Sequence, residues 1–255
     1  MYIISWNVNG IRAAQRKGFL KWLHSEDPDV LCVQETKAHP DQLDAELLAS
    51  TGYKTWWASA EKKGYSGVGN FAREQPAYVH VGFGPQEFDS EGRVLVAEYP
   101  AFTLLNVYFP NGSRDHHRVP YKLDFYEALL EYCDELRAEG HKLIICGDFN
   151  TAHEDIDLAR PKQNKNTTGF LPEEREWLGR WLSHGYTDVY RYLHPDQEGA
   201  YTWWTYISNA RSRNVGWRLD MFYVSDDLLP YVEEATILTD VMGSDHCPVG
   251  LKIEV

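Results

Sequence analysis

Short apolar runs that each stop at a carboxylate, a carboxamide or an imidazole recur along this 255-residue chain, and they constrain it more than any other feature. Tyr2–Trp6 runs into Asn7-Val8-Asn9, Val30–Val33 into Gln34-Glu35-Thr36, and Phe102–Phe109 into Asn111. Lys142–Cys146 runs into Gly147-Asp148-Phe149-Asn150. Ala235–Val241 leads to Gly243-Ser244-Asp245-His246-Cys247-Pro248, and another apolar run, Val249–Val255, follows. Apolar runs of about four to eight residues bounded by turn formers read as strands. Side chains at the ends of neighbouring strands share one edge of a sheet. The pattern therefore predicts a β-rich scaffold whose polar groups converge in a single cleft.

Helix signals separate the runs. Arg12–His24 carries Phe19, Leu20, Trp22 and Leu23, which predicts a helix docked on a sheet and broken by Asp27-Pro28-Asp29. Pro40–Ala49 predicts a second helix, with Leu43, Leu47 and Leu48 at helical spacing. Arg118–Glu139 predicts the longest, with Phe125, Leu129, Cys133 and Leu136 on one stripe and Gly140 at its C-cap. Pro172, Glu173 and Glu174 open a fourth, in which Trp177, Leu178, Trp181 and Leu182 face inward before Gly185. Further strands are predicted at Tyr53–Ala58, Gly67–Ala72, Tyr78–Val81, Val94–Tyr99, Tyr201–Tyr206 and Arg218–Val224. Their short spacing favours stacked antiparallel sheets over βαβ winding. His153–Gly169 is polar and reads as a long loop of the kind that carries function. With no repeat, low-complexity tract or linker, the expected architecture is α/β: two stacked, mainly antiparallel sheets flanked by helices, one domain over residues 1–255.

A hydrophobic content of 43% supports a substantial core. No apolar run nears the roughly 18 residues a membrane span needs, and the N-terminus carries no basic-then-apolar leader. The expectation is a soluble, intracellular protein with no membrane partner. Cys32, Cys133, Cys146 and Cys247 lack paired spacing and read as buried, reduced thiols rather than disulfide or zinc positions. The net charge of −13 argues globally against a polyanionic partner. Nucleic-acid binding, however, depends on local basic surface. Arg12, Arg16 and Lys17, Lys62 and Lys63, Arg160, Lys162 and Lys165, and Arg211, Arg213 and Arg218 concentrate positive charge in certain loops.

The residue types at the strand ends suit phosphoester hydrolysis. Glu35 and Asp245, assisted by Asn9, could hold a hard divalent cation through oxygen; magnesium needs few protein carboxylates because it keeps several waters. Asp148 beside Asn150 could orient or deprotonate a water. His246 could donate to a phosphoryl oxygen, with Asp220 fixing its tautomer and raising its pKa. Metal, base and imidazole together supply charge neutralisation, an activated water and a stabilised leaving oxygen. Taken singly, Asn7, Asn9 and Asn111 could be turn formers, Asp148 a cap, Glu35 a surface partner of Lys37, and Tyr108 core. Asp220, inside the apolar run Leu219–Val224, is harder to explain away, because an unpaired carboxylate there is costly.

Asn7-Val8-Asn9-Gly10, Gln34-Glu35-Thr36-Lys37, Gly64-Tyr65-Ser66-Gly67-Val68, Gly147-Asp148-Phe149-Asn150, Asn214-Val215-Gly216-Trp217-Arg218-Leu219-Asp220 and Gly243–Pro248 closely resemble the exonuclease III family of abasic-site endonucleases. The resemblance runs from Tyr2 to Val255 with the motifs in family order. It implies a four-layered α/β sandwich of the deoxyribonuclease I kind, forming one endonuclease/exonuclease/phosphatase-type catalytic domain. It also implies Mg2+-dependent incision of duplex DNA 5′ to an abasic site, with Mn2+ as a substitute ion. The products would be a 3′-hydroxyl and a 5′-deoxyribose phosphate, and 3′→5′ exonuclease and 3′-end-cleaning activity would accompany the incision. By motif, Glu35 corresponds to the chief metal ligand, with Asn9 and Asp245 nearby. Some members carry Asp at the position of Asn9; Asn keeps an oxygen ligand but drops a charge. Asp148 corresponds to the group that aligns or deprotonates the attacking water, with Asn150 and Asn7 holding its neighbours. His246 and Asp220 correspond to the phosphate-binding imidazole and its carboxylate, and Tyr108 and Asn111 to phosphate and transition-state contacts.

The same resemblance gives the aromatic and basic loops a purpose. Trp203, Trp217 and Leu219 match an apolar pocket for a base-less sugar, where extrusion costs least. Arg114 matches a side chain that enters the groove near the lesion. Arg12, Lys17, Lys37, Tyr65, Lys162 and Asn164 match phosphate contacts, which position a duplex without reading its sequence. The expected enzyme is a monomer of the cytoplasm, associated with the nucleoid in a prokaryote. Exonuclease or damaged-base incision as the main activity is an alternative. Phosphoinositide phosphatases and sphingomyelinases share the scaffold, but Arg211–Arg213 and Asn214–Asp220 suit a duplex-binding loop and no basic amphipathic helix suggests a membrane. A non-enzymatic DNA binder fits poorly, since every candidate catalytic side chain is present.

Overall fold

The computed structural model describes residues 1–49 and 52–255. Its strands are β1 (Tyr2–Asn7), β2 (Val30–Gln34), β3 (Lys54–Ala58), β4 (Val68–Ala72), β5 (Tyr78–Val81) and β6 (Val94–Glu98). There follow β7 (Thr103–Tyr108), β8 (Leu143–Asp148), β9 (Tyr186–Asp188), β10 (Asp220–Ser225), β11 (Val232–Ile237) and β12 (Val249–Ile253). The helices are α1 (Ile11–Arg16), α2 (Phe19–Glu26), α3 (Ala45–Leu48) and α4 (Gln86–Asp89), then α5 (Val119–Ala138), α6 (Pro161–Asn164), α7 (Pro172–Ser183) and α8 (Val189–Leu193).

Two six-stranded sheets result, ordered β11-β12-β1-β2-β4-β3 and β5-β6-β7-β8-β10-β9. Each is antiparallel apart from one parallel pair, β1 with β2 and β7 with β8. The central strands are buried on both faces, which explains why their sequences read as unbroken apolar runs rather than alternating ones. Alternate residues still divide between two cores. Ile3, Cys32, Leu104 and Ile144 pack between the sheets. Their neighbours Ile4 and Leu31 pack outward with Phe19, Leu23 and Leu47 of α2 and α3. Leu105 and Ile145 pack outward with Phe125, Leu129 and Cys133 of α5 and Trp177 and Trp181 of α7. The order helix, sheet, sheet, helix is the expected four-layered sandwich.

One part of the intersheet space is polar. Buried Asn106 on β7 accepts from Gln34 Nε2 at 2.8 Å and donates to Asn70 Oδ1 at 2.7 Å and the Gly69 carbonyl at 3.0 Å. With both ends of the Asn106 amide engaged, these bonds tie the two sheets together in register. No described helix is long and apolar enough to cross a membrane. All four cysteines are buried and free, as expected.

Several local expectations are corrected. Arg12–His24 is two helices, α1 and α2, because Gly18 adopts φ +97° between them. Pro40–Ala49 divides into a 3-10 turn (Pro40–Gln42) and the short α3, since Asp44 is extended. Leu48 and Leu182 face solvent rather than the core. Tyr201–Tyr206 is not a strand: Trp203 makes isolated bridges to both Trp217 and His246, so no continuous ladder forms. The 153–169 loop contains α6, and β9 and α8 were not anticipated.

Candidate active site

Pairing register collects the polar strand ends at one edge of the sandwich. Parallel pairing sets Asn7 beside Gln34 on one sheet and Tyr108 beside Asp148 on the other. Antiparallel pairing of β10 sets Asp220 against Asp148. Antiparallel pairing of β12 with β1 brings the 243–248 turn to the same edge. Gly147 is obligatory in its motif: at φ +145° an added Cβ would stand 1.7 Å from the Val107 carbonyl oxygen. Asn9, Glu35 and Asn150 all hold positive φ, at 44°, 52° and 52°. Such conformations are uncommon outside glycine and cost on the order of 1 kcal/mol or more each. They are over-determined here, for example by Gly10 N donating to the Glu35 carbonyl at 2.7 Å and Asn150 N donating to Asp148 Oδ1 at 2.8 Å. With Lys37 at φ 51°, four such residues line one cleft, the clustering that backbone strain shows at functional sites.

At the centre, His246 Nδ1 lies 2.8 Å from Asp220 Oδ2, and its Nε2 lies 3.8 Å from Asp148 Oδ2, with all three side chains buried. Burial pulls the His246 pKa down, but the Asp220 and Asp148 carboxylates outweigh it and raise it to about 10. Burial pushes Asp148 up to about 7, with the His246 charge opposing and the Asp220 charge adding to the rise. Asn7 Nδ2 donates to Asp148 Oδ2 at 2.8 Å and to Glu35 Oε2 at 3.0 Å, joining the two carboxylates. Asn150 Nδ2 donates to Asp148 Oδ2 at 3.3 Å, and Asn111 Nδ2 donates to Asn150 Oδ1 at 3.0 Å. Tyr108 stays a phenol, its pKa raised by burial and by Glu35 and Asp148. The buried Arg93 guanidinium lies 4.8 Å from the Tyr108 ring centre.

The oxygens of Glu35, Asp245 and Asn9 form the hard donor set that suits magnesium or manganese. A cation already stands among them: Lys37 Nζ lies 3.0 Å from Glu35 Oε1 and donates to Asn9 Oδ1 at 2.5 Å. Asn9 Nδ2 donates to Asp245 Oδ1 at 2.8 Å, so its oxygen faces Lys37 and its nitrogen the carboxylate. Burial favours a higher Asp245 pKa, but the His246 charge and hydrogen bonds from Asn9 and Trp203 hold it below the ordinary value. Asp148, Asp220 and His246 also bring ligand-type atoms within 4.8 Å of one another. Asp220 and His246 are committed to each other there, so the Glu35 and Asp245 side fits a divalent ion better.

These groups open into a cleft of about 400 Å³ that Trp203, Trp217 and Leu219 also line. Trp203 and Trp217 meet edge to face at 6.4 Å, and Trp203 Nε1 donates to Asp245 Oδ2 at 3.2 Å. Eleven predicted catalytic, metal and pocket residues line it together with Lys37, a predicted phosphate contact, while Asn7 and Asp220 are not among the lining; Thr167, Thr168 and Gly169 complete the wall. Arg12 lines a neighbouring groove with Arg16 and Lys37. Lys17 donates to the Gly243 carbonyl at 2.9 Å, and the Tyr65 hydroxyl receives Arg93 Nη2 at 2.9 Å. Lys162 and Asn164 lie on α6, where Asn164 donates to the Ala159 carbonyl at 3.2 Å, and Arg114 lies in the loop before α5. Lys17, Tyr65, Arg114, Lys162 and Asn164 are therefore outside the cleft lining. A larger groove of about 500 Å³ runs along α7 past His153, but Arg175 there pairs with Glu154 and Asp155 and no catalytic pair converges on it.

Sequence reasoning missed Arg93, Lys122 and Glu174; it marked His153–Gly169 as a functional loop without singling out Thr167, Thr168 and Gly169, which wall the cleft. Lys122 did leave a signal, a lysine on the apolar stripe of α5 three residues before Phe125.

The pattern of the Endonuclease/Exonuclease/phosphatase family matches residues 4–246. The chain belongs to that family. Among its relatives, it is 47% identical to an exodeoxyribonuclease of Bacillus subtilis (strain 168), covering 100% of both chains. It is also 47% identical to the DNA repair nuclease APEX1 of Danio rerio, covering 100% of this chain and 83% of that protein. The solved structure of an AP endonuclease from Archaeoglobus fulgidus superposes with a TM-score of 0.91 at 29% identity, covering 100% of both chains. Within the family the chain is thus a nuclease of the exonuclease III type, as its motifs implied.

Proposed function

We propose that this nuclease hydrolyses the phosphodiester 5′ to abasic sites in duplex DNA, leaving a 3′-hydroxyl and a 5′-deoxyribose phosphate. The observation that carries the reading is the juxtaposition of two features in one cleft. The buried Asp148–His246–Asp220 row abuts an apolar hollow walled by Trp203, Trp217 and Leu219. The exodeoxyribonuclease and DNA repair nuclease relatives support it. We read residues 1–255 as one catalytic domain acting as a monomer inside the cell.

A magnesium ion, or manganese in its place, held by Glu35 and Asp245 with Asn9 beside them, would neutralise charge on the phosphate. The chain's own groups do the rest. Asp148, oriented by Asn7 and Asn150, aligns a water and accepts its proton. His246, positioned by Asp220, donates from Nε2 to a phosphoryl oxygen. The Tyr108 hydroxyl and the Asn111 amide supply further neutral donors where negative charge grows. The aromatic hollow admits a base-less sugar and excludes a stacked nucleotide. Arg12, Lys17, Lys37, Tyr65, Lys162 and Asn164 hold phosphates along the duplex, and Arg114 reaches into its groove. The same machinery acting on a 3′ end gives exonuclease and end-cleaning activity, a second reading that the name of the bacterial relative favours.

The test is a time course on a labelled duplex with one tetrahydrofuran abasic analogue, on an undamaged duplex, and on a phosphoinositide. A single magnesium-dependent incision 5′ to the analogue is expected, and chelation by EDTA should abolish it. Degradation from the ends with the analogue ignored would overturn the abasic-site reading, and turnover of the lipid alone would move the site to headgroup chemistry.

A further inference from the structure

Lys122 and Glu174 form an ion pair at 2.8 Å with both side chains fully buried, and neither lines the cleft. Desolvating two charges costs several kcal/mol per ion, and apolar residues would pack these positions at less expense. Packing alone therefore gives no reason for a lysine on the buried stripe of α5. The partners of the pair do. Lys122 Nζ donates to the Asn150 carbonyl at 2.7 Å, and Asn150 in turn holds Asp148 through its backbone and side-chain nitrogens. Glu174 Oε1 accepts from Thr168 Oγ1 at 2.7 Å, and Oε2 accepts from Gly169 N at 2.5 Å and Leu171 N at 3.0 Å. Thr168 and Gly169 are the wall of the cleft that faces Trp217. That wall stands close: a Cβ on Gly169, whose φ is +92°, would lie 3.3 Å from the Trp217 ring and 3.1 Å from the Asn150 carbonyl oxygen. One buried pair thus tethers both the wall of the hollow and the residue that orients the catalytic carboxylate.

We propose that Lys122 and Glu174 are positioning residues that fix the spacing between the 168–169 wall and Trp217, and thereby set discrimination between base-less and base-bearing nucleotides. The proposal rests on the abasic-site reading of the same cleft. A wall held on one side by Glu174 and on the other by Trp217 cannot retreat to admit a base. Releasing Glu174 from Thr168 and Gly169 lets it do so.

The test compares kcat/KM on duplexes carrying either a tetrahydrofuran analogue or an undamaged nucleotide, for wild type, K122M, E174Q, T168V and T168S, with melting temperatures alongside. The abasic-to-undamaged ratio should fall about tenfold or more in E174Q and T168V, the order expected when a supporting contact lets a site shift by a fraction of an ångström. T168S, which keeps the hydroxyl, should retain the wild-type ratio whatever its melting temperature. Should K122M fail to fold, the T168V and T168S pair still decides, because Thr168 is only half-buried. A wild-type enzyme without preference for the abasic duplex overturns the abasic-site reading and this proposal with it. A wild-type preference that survives unchanged in folded T168V and E174Q overturns the proposal alone.

Discussion

His246 and Asp220 meet through Nδ1 and Oδ2 at 2.8 Å, which leaves Nε2 of the same ring aimed across the cleft at Asp148. A buried imidazolium between two carboxylates partly balances their charge, whereas any one of the three alone would be expensive to bury. The first prediction concerns that balance.

In wild type the His246 imidazole should titrate near pH 10, as followed by NMR. Its folded pKa lies above the unfolded value of about 6.5. The stability it contributes is therefore complete below about pH 6.5 and lost as pH rises through about 10. Asp220→Asn removes the strongest upward influence, so the titration should move to lower pH and the alkaline loss of stability should be smaller and complete at lower pH. An unmoved titration would contradict the pairing.

Arg218 offers a separate test, away from the reacting groups. Its guanidinium donates to Asp157 at 2.8 Å and to Asp188 at 2.6 Å, all buried, between the pocket residues Trp217 and Leu219. Arg218→Met strips buried Asp188 of its guanidinium and leaves Asp157 with Arg191 alone, and should cost about 3–5 kcal/mol in urea unfolding.

Asp157 itself carries an acid signature. Burial would raise its pKa, but Arg218 and Arg191 depress it to about 2. Its stabilising contribution, about 2 kcal/mol, is present above the unfolded pKa of about 3.9 and lost as pH falls through about 2. Asp157→Asn should flatten the fall of the unfolding midpoint between about pH 5 and 2. An equally steep fall would show that other carboxylates dominate.

Asn9 bears on the metal. Asn9→Asp adds a charge beside Glu35 and Asp245, and ligand charge count raises divalent-ion affinity. Calorimetry with Mn2+ should give a Kd lower by about threefold to tenfold. Unchanged or weaker binding would place the ion away from this donor set.

The strands were legible because their doubly buried faces leave apolar runs no local signal can disguise, and the Gly-Asp-Phe-Asn turn because no other residue than Gly147 fits against Val107. The break at Gly18 was not, since the apolar spacing of Phe19 to Leu23 continues that of a single helix. Tyr201–Tyr206 misled for a related reason: its aromatic residues are spent on lining the cleft and on stacking, with Arg211 4.7 Å from Trp204, rather than on a ladder. The proposed catalytic groups were readable as residue types at strand ends, and Asp220 as the partner of His246 because it sits in the apolar run Leu219–Val224. Glu174 and Arg93 were out of reach, and Lys122 showed only as a lysine on an apolar stripe, because their purpose lies in contacts between segments far apart in sequence, such as Lys122 with Asn150 and Glu174.

The most direct measurement is single-turnover cleavage of the abasic duplex by Asp148→Asn, with binding of the same duplex measured in parallel. Removing the proposed general base should lower the cleavage rate by about 10²-fold or more, while Kd for the duplex stays within about threefold of wild type. Cleavage near the wild-type rate would contradict the assignment of Asp148, and with it the mechanism built around the His246 row.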